Sequence, residues 1–354
     1  MSRYVAARRA EGWRVAVVDT ESIYAAHGWN MTLPGAITRF LAALDARADY
    51  GHVLLVGGDC YDYHDHLGSR CVSFIPTRYA RTGRVMYFTP SDALLADLDG
   101  DGLSDKAIGR WPVRTEKQLA AVVDKTLAWS DPAAGMRFDV STVWAADSLD
   151  PSVGSFAAQA ERMIERLRTP LAGGSAEPWP ADRIERVYLD DVVNEVPAGD
   201  VLGTARERLV GAINEGRTIT GFAGHGSPVS WTFQNLFTPT VAGILANAGK
   251  PTQVVTLTCY TTYFVSPGTD TLAHQLLVGG RNGAVAVHGA ATLSAYGANE
   301  AMATQVLDRQ LLGRKTIGEA ILHAGRALAE HTGAPRDVAV NWTLLGDPTL
   351  LTGN

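Results

Sequence analysis

Apolar residues recur along this chain in two periods. Short β-branched and apolar runs bounded by Gly and Pro predict buried strands at residues 13–19, 53–57, 138–146, 183–189, 218–223, 253–258, 284–288 and 340–345. Apolar positions three and four apart predict helices between them, at residues 34–48, 115–129, 155–168, 201–215, 238–248, 270–278 and 316–331. Thr115 with Gln118, and Thr316 with Glu319, read as capping boxes at two helix starts. The stretch Asp59 to Tyr87 has no clear period and reads as a long surface connection. Alternating strands and helices imply an α/β fold, mostly parallel sheets with helices on both faces. The break Asp131-Pro132-Ala133-Ala134-Gly135 divides the pattern into two α/β subdomains, residues 1–134 and 135–354.

Two of the predicted strands end on reactive residues. Thr218-Ile219-Thr220-Gly221-Phe222-Ala223 runs into Gly224-His225-Gly226-Ser227, and Gln253-Val254-Val255-Thr256-Leu257-Thr258 runs into Cys259. The helix between them makes the two strands parallel neighbours, so both deliver their C-terminal residues to one edge of the sheet. Sites of open α/β sheets form at that edge. A thiol beside an imidazole is a nucleophile with its proton-transfer partner, and an imidazolium favours the thiolate. The backbone amides of Gly226 and Cys259 would face the developing oxyanion.

The order of motifs resembles the gingipain-type cysteine peptidases, peptidase family C25 of the caspase-like clan. That clan carries His-Gly after one strand and Cys after the next. Beyond His225-Gly226 and Cys259, the likeness takes in Tyr4 to Val15, which match an opening helix and strand, and Val53-Leu54-Leu55-Val56-Gly57-Gly58-Asp59. It also takes in Ile108-Gly109-Arg110 and the closing Trp342-Thr343-Leu344-Leu345-Gly346-Asp347-Pro348. The resemblance implies a caspase/gingipain-like fold and a cysteine endopeptidase acting on protein or peptide substrates. Cys259 would be the nucleophile and His225 the proton donor. In the family an acidic residue orients the imidazole, and here the matching segment Trp144-Ala145-Ala146-Asp147 puts Asp147 in that role, one methylene shorter than the family's Glu. The Arg- and Lys-specific members place an Asp at the start of the following helix. Phe156 stands at that position, which implies a peptidase that is not Arg/Lys-specific. Trp231 and Tyr296 fall where the family lines its substrate pocket. The resemblance further implies a secreted or cell-surface protein, with a propeptide or further domains of a larger precursor as partners.

Composition narrows the remaining classes. A formal net charge of −6 argues against nucleic acid as a partner. No apolar run reaches the roughly 18 residues of a membrane span. The N-terminus carries Arg3, Arg8 and Arg9 but no apolar core of a signal peptide. Of the three cysteines, Cys60 and Cys71 either pair or stay as free thiols, and Cys259 is the odd one out. The cluster Cys60, Asp62, His64, Asp65 and His66 reads as structural or solvated rather than as a metal site.

One acidic loop adds a cofactor. Asp97-Leu98-Asp99-Gly100-Asp101-Gly102-Leu103-Ser104-Asp105 sets carboxylates at alternate positions around a Gly turn, the donor pattern of a structural Ca²⁺ loop. Ile108 stands where an EF-hand has its Glu, so the loop is not an EF-hand. Its metal ligands would be Asp97, Asp99, Asp101 and Asp105, and no organic cofactor is expected. Alternatives to the endopeptidase are a sortase-like transpeptidase on the same fold and a catalytically inactive binding domain. A metal hydrolase using the acidic loop is the more distant one.

Overall fold

The computed structural model describes residues 1–83, 85–130, 140–169, 178–268, 270–311, 315–331 and 336–352. In chain order its strands are β1 (His52–Val56), β2 (Arg78–Thr82), β3 (Met86–Ser91), β4 (Ala107–Trp111), β5 (Thr142–Ala146) and β6 (Ile184–Tyr188). There follow β7 (Ile219–Ala223), β8 (Gly226–Ser227), β9 (Ser230–Trp231), β10 (Thr252–Leu257), β11 (Ala284–Ala290) and β12 (Trp342–Gly346). Eight of them form one sheet in the order β1-β4-β12-β11-β10-β7-β5-β6. Neighbours are parallel except β11 and β12, which are antiparallel. The sheet is therefore two parallel blocks of opposite direction, with β1, β4 and β12 in one and the other five strands in the second.

Side-chain alternation builds the core on both faces. On β5, Val143 and Ala145 enter one apolar cluster while Trp144 and Ala146 enter another. Phe222 of β7 and Val254 of β10 join the first; Ile219, Ala223, Val255 and Leu257 join the second. Strands covered on both faces have no polar side, which is why they read as continuous apolar runs.

The segments quoted from the two ends of the chain meet in space. Asp347 is fully buried and accepts hydrogen bonds from Tyr4 Oη at 2.8 Å and Arg8 Nε at 3.2 Å. The opening helix Ser2–Ala10 is thus fastened to the closing Gly-Asp-Pro turn. A Cβ on Gly109 would lie 2.4 Å from the Gly346 carbonyl oxygen, so only glycine lets β4 and β12 approach this closely.

Four sequence expectations change. Residues 13–19 join no ladder; Val17 and Val18 are exposed and none of the run is buried, so it has no core face to hold a strand. The expected helix at 238–248 closes at Pro239–Ala242, where Gly243 weakens it. Beyond it Asn247 turns the chain by bonding the carbonyls of Lys250 and Gly283. Within the expected surface connection, β2 and β3 pair as an antiparallel hairpin. Their outward Tyr87 and Phe88 blur the alternation that marks a strand. Thr115 caps Gln118 through its hydroxyl, but the Gln118 side chain returns to the Arg114 amide rather than to Thr115. The expected boundary at 131–135 lies outside the described residues.

Candidate active site

The parallel register fixes the centre of the site. Ala223 of β7 pairs with Leu257 of β10. His225 and Cys259 each follow two residues later, so both stand at the same edge. The turn between them is tight: a Cβ on Gly226 would lie 2.5 Å from Thr258 Oγ1 and 3.0 Å from the Cys259 carbonyl oxygen. Glycine at 226 therefore lets its Cα pass close to Thr258 and to the Cys259 carbonyl. Gly226 and Cys259 lie together, as their places in the sequence imply.

The imidazole of His225 is held on three sides. Its Nε2 lies 2.9 Å from Asp150 Oδ2. The ring of Phe233 stacks on it with centroids 4.5 Å apart, and the edge of Phe156 meets it at 5.1 Å. Asp147, expected to orient the ring, is placed differently. Its carboxylate accepts the backbone N–H of His225 at 3.2 Å and that of Ser148 at 2.9 Å. Asp147 is one methylene shorter than Glu and spends its oxygens on the backbone; the ring falls to Asp150, three residues on. Burial pushes the Asp147 carboxyl up, against the two amide bonds. Asp150 is held down to about 2, first by the Ser152 hydroxyl and amide and then by His225.

Cys259 is half-buried and free, while Cys60 and Cys71 form a disulfide. Burial pushes the Cys259 thiol up, partly offset by the Ser294 N–H. Burial thus works against ionisation of this thiol, and the Ser294 N–H works for it.

The three expected pocket residues separate. Phe156 opens the helix Phe156–Arg168 behind its N-cap Ser155 and packs between His225 and Tyr296. Tyr296 donates its hydroxyl to the Ser155 carbonyl at 2.8 Å. Trp231 does not line a cleft: it is 1% exposed, stacked on Phe222 at 4.6 Å, because β9 turns it under the β7 edge into the core. Phe233, 76% exposed, takes a place beside the imidazole that no sequence pattern marked. Asp150 had a readable signal, since Asp150-Pro151-Ser152 is an Asx-turn sequence and Ser152 N donates to Asp150 Oδ1 at 2.8 Å.

The acidic loop gathers three of its four carboxylates. Oxygens of Asp97, Asp99 and Asp105 lie within 4.8 Å of one another. Asp101 stands apart, 3.9 Å from Arg326, which also binds Asp105. The donor set is all-oxygen, as a hard cation requires, with Arg326 supplying part of the counter-charge.

Residues 1–352 match the model of peptidase family C25. No curated protein matches the sequence. Among solved structures, the complex of the pro- and mature domains of RgpB from Porphyromonas gingivalis is similar with a TM-score of 0.75 at 18% identity, covering 96% of this chain and 74% of that one. The Arg-specific cysteine proteinase gingipain R gives 0.69 at 18% identity, over 90% of this chain and 68% of that one. A further protease structure gives 0.66 at 16% identity, over 91% and 70%. At these identities the likeness is one of fold, the gingipain form of the caspase-like architecture.

Proposed function

This chain belongs to peptidase family C25 and is a cysteine-type peptidase, and on that premise we propose that it is an endopeptidase whose nucleophile is Cys259. The observation that carries the reading is the β7–β10 register, which pairs Ala223 with Leu257 and so brings His225 and Cys259 to one edge of the sheet. His225 takes the Cys259 proton, the resulting thiolate attacks the scissile carbonyl, and the amides of Gly226 and Cys259 hold the oxyanion. His225 gives a proton to the leaving amine as the C–N bond breaks and a thioester forms. Water, losing a proton to the same imidazole, then hydrolyses the thioester. Asp150 orients the imidazole through Nε2, leaving Nδ1 for the proton transfer. Asp147 supports it one step back, by fixing the His225 backbone.

We assign an apolar or small P1 preference. Phe156, Tyr296 and Phe233 supply apolar surface beside His225, and a basic side chain buried against Phe156 would lack a partner. A propeptide partner is proposed from the likeness to a complex of pro- and mature domains. A secreted or surface location agrees with the Cys60–Cys71 disulfide, since such bonds persist in oxidising compartments. Among the described residues no helix is long and apolar enough to cross a membrane. Ca²⁺ is assigned a structural role at Asp97, Asp99 and Asp105; a chelator should then lower the melting temperature, and an unchanged melt would rule the ion out.

The nucleophile is tested by a peptidyl acyloxymethyl ketone with an apolar P1. It should add covalently to Cys259, detected as a mass shift on the peptide containing that residue. Modification elsewhere, or none, would refute the assignment.

A further inference from the structure

The backbone of one residue meets the thiol with both its N–H and its carbonyl. Cys259 Sγ accepts the Ser294 N–H at 3.4 Å and donates to the Ser294 carbonyl at 3.5 Å. The Ser294 hydroxyl in turn donates to Asn299 Oδ1 at 2.7 Å. Asn299 is 2% exposed, in the first turn of the helix Tyr296–Leu311, and its backbone N–H is spent on the Ala295 carbonyl. A buried carboxamide must find a partner, and this one spends its acceptor on the residue that holds the thiol.

The two contacts on sulfur act in opposite senses. A carbonyl that accepts S–H favours the neutral thiol, whereas an N–H that donates to sulfur favours the thiolate. On ionisation the first contact is lost and only the second keeps its value. Where Ser294 sits therefore decides how readily the thiol ionises in a site that desolvates it.

We propose that Ser294 and Asn299 are positioning residues for the nucleophile: the Asn299 carbonyl fixes the Ser294 hydroxyl, and so keeps the Ser294 N–H on the Cys259 sulfur when the thiolate forms. This rests on the reading of Cys259 as nucleophile. It extends that reading to residues 35 and 40 positions further along the chain, which no motif links to it.

The test is the pH dependence of Cys259 alkylation by iodoacetamide, followed by mass spectrometry on the intact folded protein. Cys60 and Cys71 are tied in their disulfide and do not compete. Ser294→Ala and Asn299→Leu each remove the side-chain bond. Their alkylation midpoints should rise by about one pH unit, with alkylation near pH 7 slowed about tenfold. Ser294→Thr keeps the hydroxyl and should restore the wild-type midpoint. A merely structural role would lower the melting temperature and leave the midpoint alone. Equal midpoints in wild type and Ser294→Ala overturn the proposal, and so does failure of Ser294→Thr to restore it. Should Asn299→Leu not fold, the half-exposed Ser294 still decides the matter through its Ala and Thr variants. Alkylation needs no turnover: a wild type that cleaves nothing would refute the peptidase reading and leave this comparison intact.

Discussion

Asp150 Oδ2 lies 2.9 Å from Nε2 of His225, and this carboxylate, not that of Asp147, meets the imidazole. The two acids act on different parts of one residue. Asp147 holds the backbone of His225, and Asp150 holds its imidazole.

That division predicts different defects. Asp150→Asn should lower kcat/KM by roughly 10–100-fold with little change in melting, because an amide no longer fixes the tautomer. Asp147→Asn should cost about 1–2 kcal/mol of stability and less activity, since its buried oxygens serve amides. Steady-state kinetics with thermal melts on both variants check this. The reverse ranking would return the orienting role to Asp147.

Gly226 admits no side chain. A methyl there would press on Thr258 Oγ1 at 2.5 Å and move the amide proposed to face the oxyanion. Gly226→Ala should therefore lower kcat about 10²–10³-fold while the fold persists, as read by circular dichroism. A variant of normal kcat would remove this amide from the oxyanion site.

Alkylation of Cys259 should speed up with pH. Burial holds the Cys259 thiol above its ordinary value, so the reactive thiolate grows as pH increases. The iodoacetamide rate is expected to climb between about pH 7 and 9, while kcat/KM, which also needs a proton held by His225 for the leaving amine, should turn over rather than follow it. An alkylation rate that stays flat across that range would mean an ion pair already formed at rest.

Lys125 makes a stability prediction far from the site. Its ammonium is buried, bonded to the carbonyls of Leu276 at 2.9 Å and Asn282 at 3.0 Å, and burial lowers its pKa from 10.5 to about 7. The unfolded chain binds this proton more readily than the folded one between those values. Stability from this group thus rises with pH, from about 7 toward 10.5, by up to about 1.4 kcal/mol per pH unit. Lys125→Met should be the more stable protein at pH 7, by about 1–4 kcal/mol, with the gap closing by about pH 9. Urea titrations at the two pH values measure it.

Much of this was legible in the sequence, for physical reasons. Strands such as β7 and β10 are covered on both faces, so their apolar runs were unambiguous and the residues ending them stood out. Gly109, Gly346 and Asp347 were readable through the family resemblance, and they stand where close approach and burial leave few choices. What sequence could not supply was direction in space. Asp147 and Asp150 are three residues apart on one loop, and only geometry tells which reaches the ring. Phe233 and Ser294 lie on loops without period, so their contacts with His225 and Cys259 are set by tertiary structure alone. Trp231 shows the opposite failure: it stands where a pocket residue was expected and is turned into the core.

The central claim is that Cys259 cleaves peptide bonds, with a preference away from Arg and Lys. Incubating the protein and its Cys259→Ala variant with a diverse peptide mixture, and reading the products by mass spectrometry, tests it most directly. Internal cuts after apolar or small residues, absent from the variant's digest, are the predicted result. Cuts that survive in Cys259→Ala, or that fall only after Arg and Lys, would contradict it.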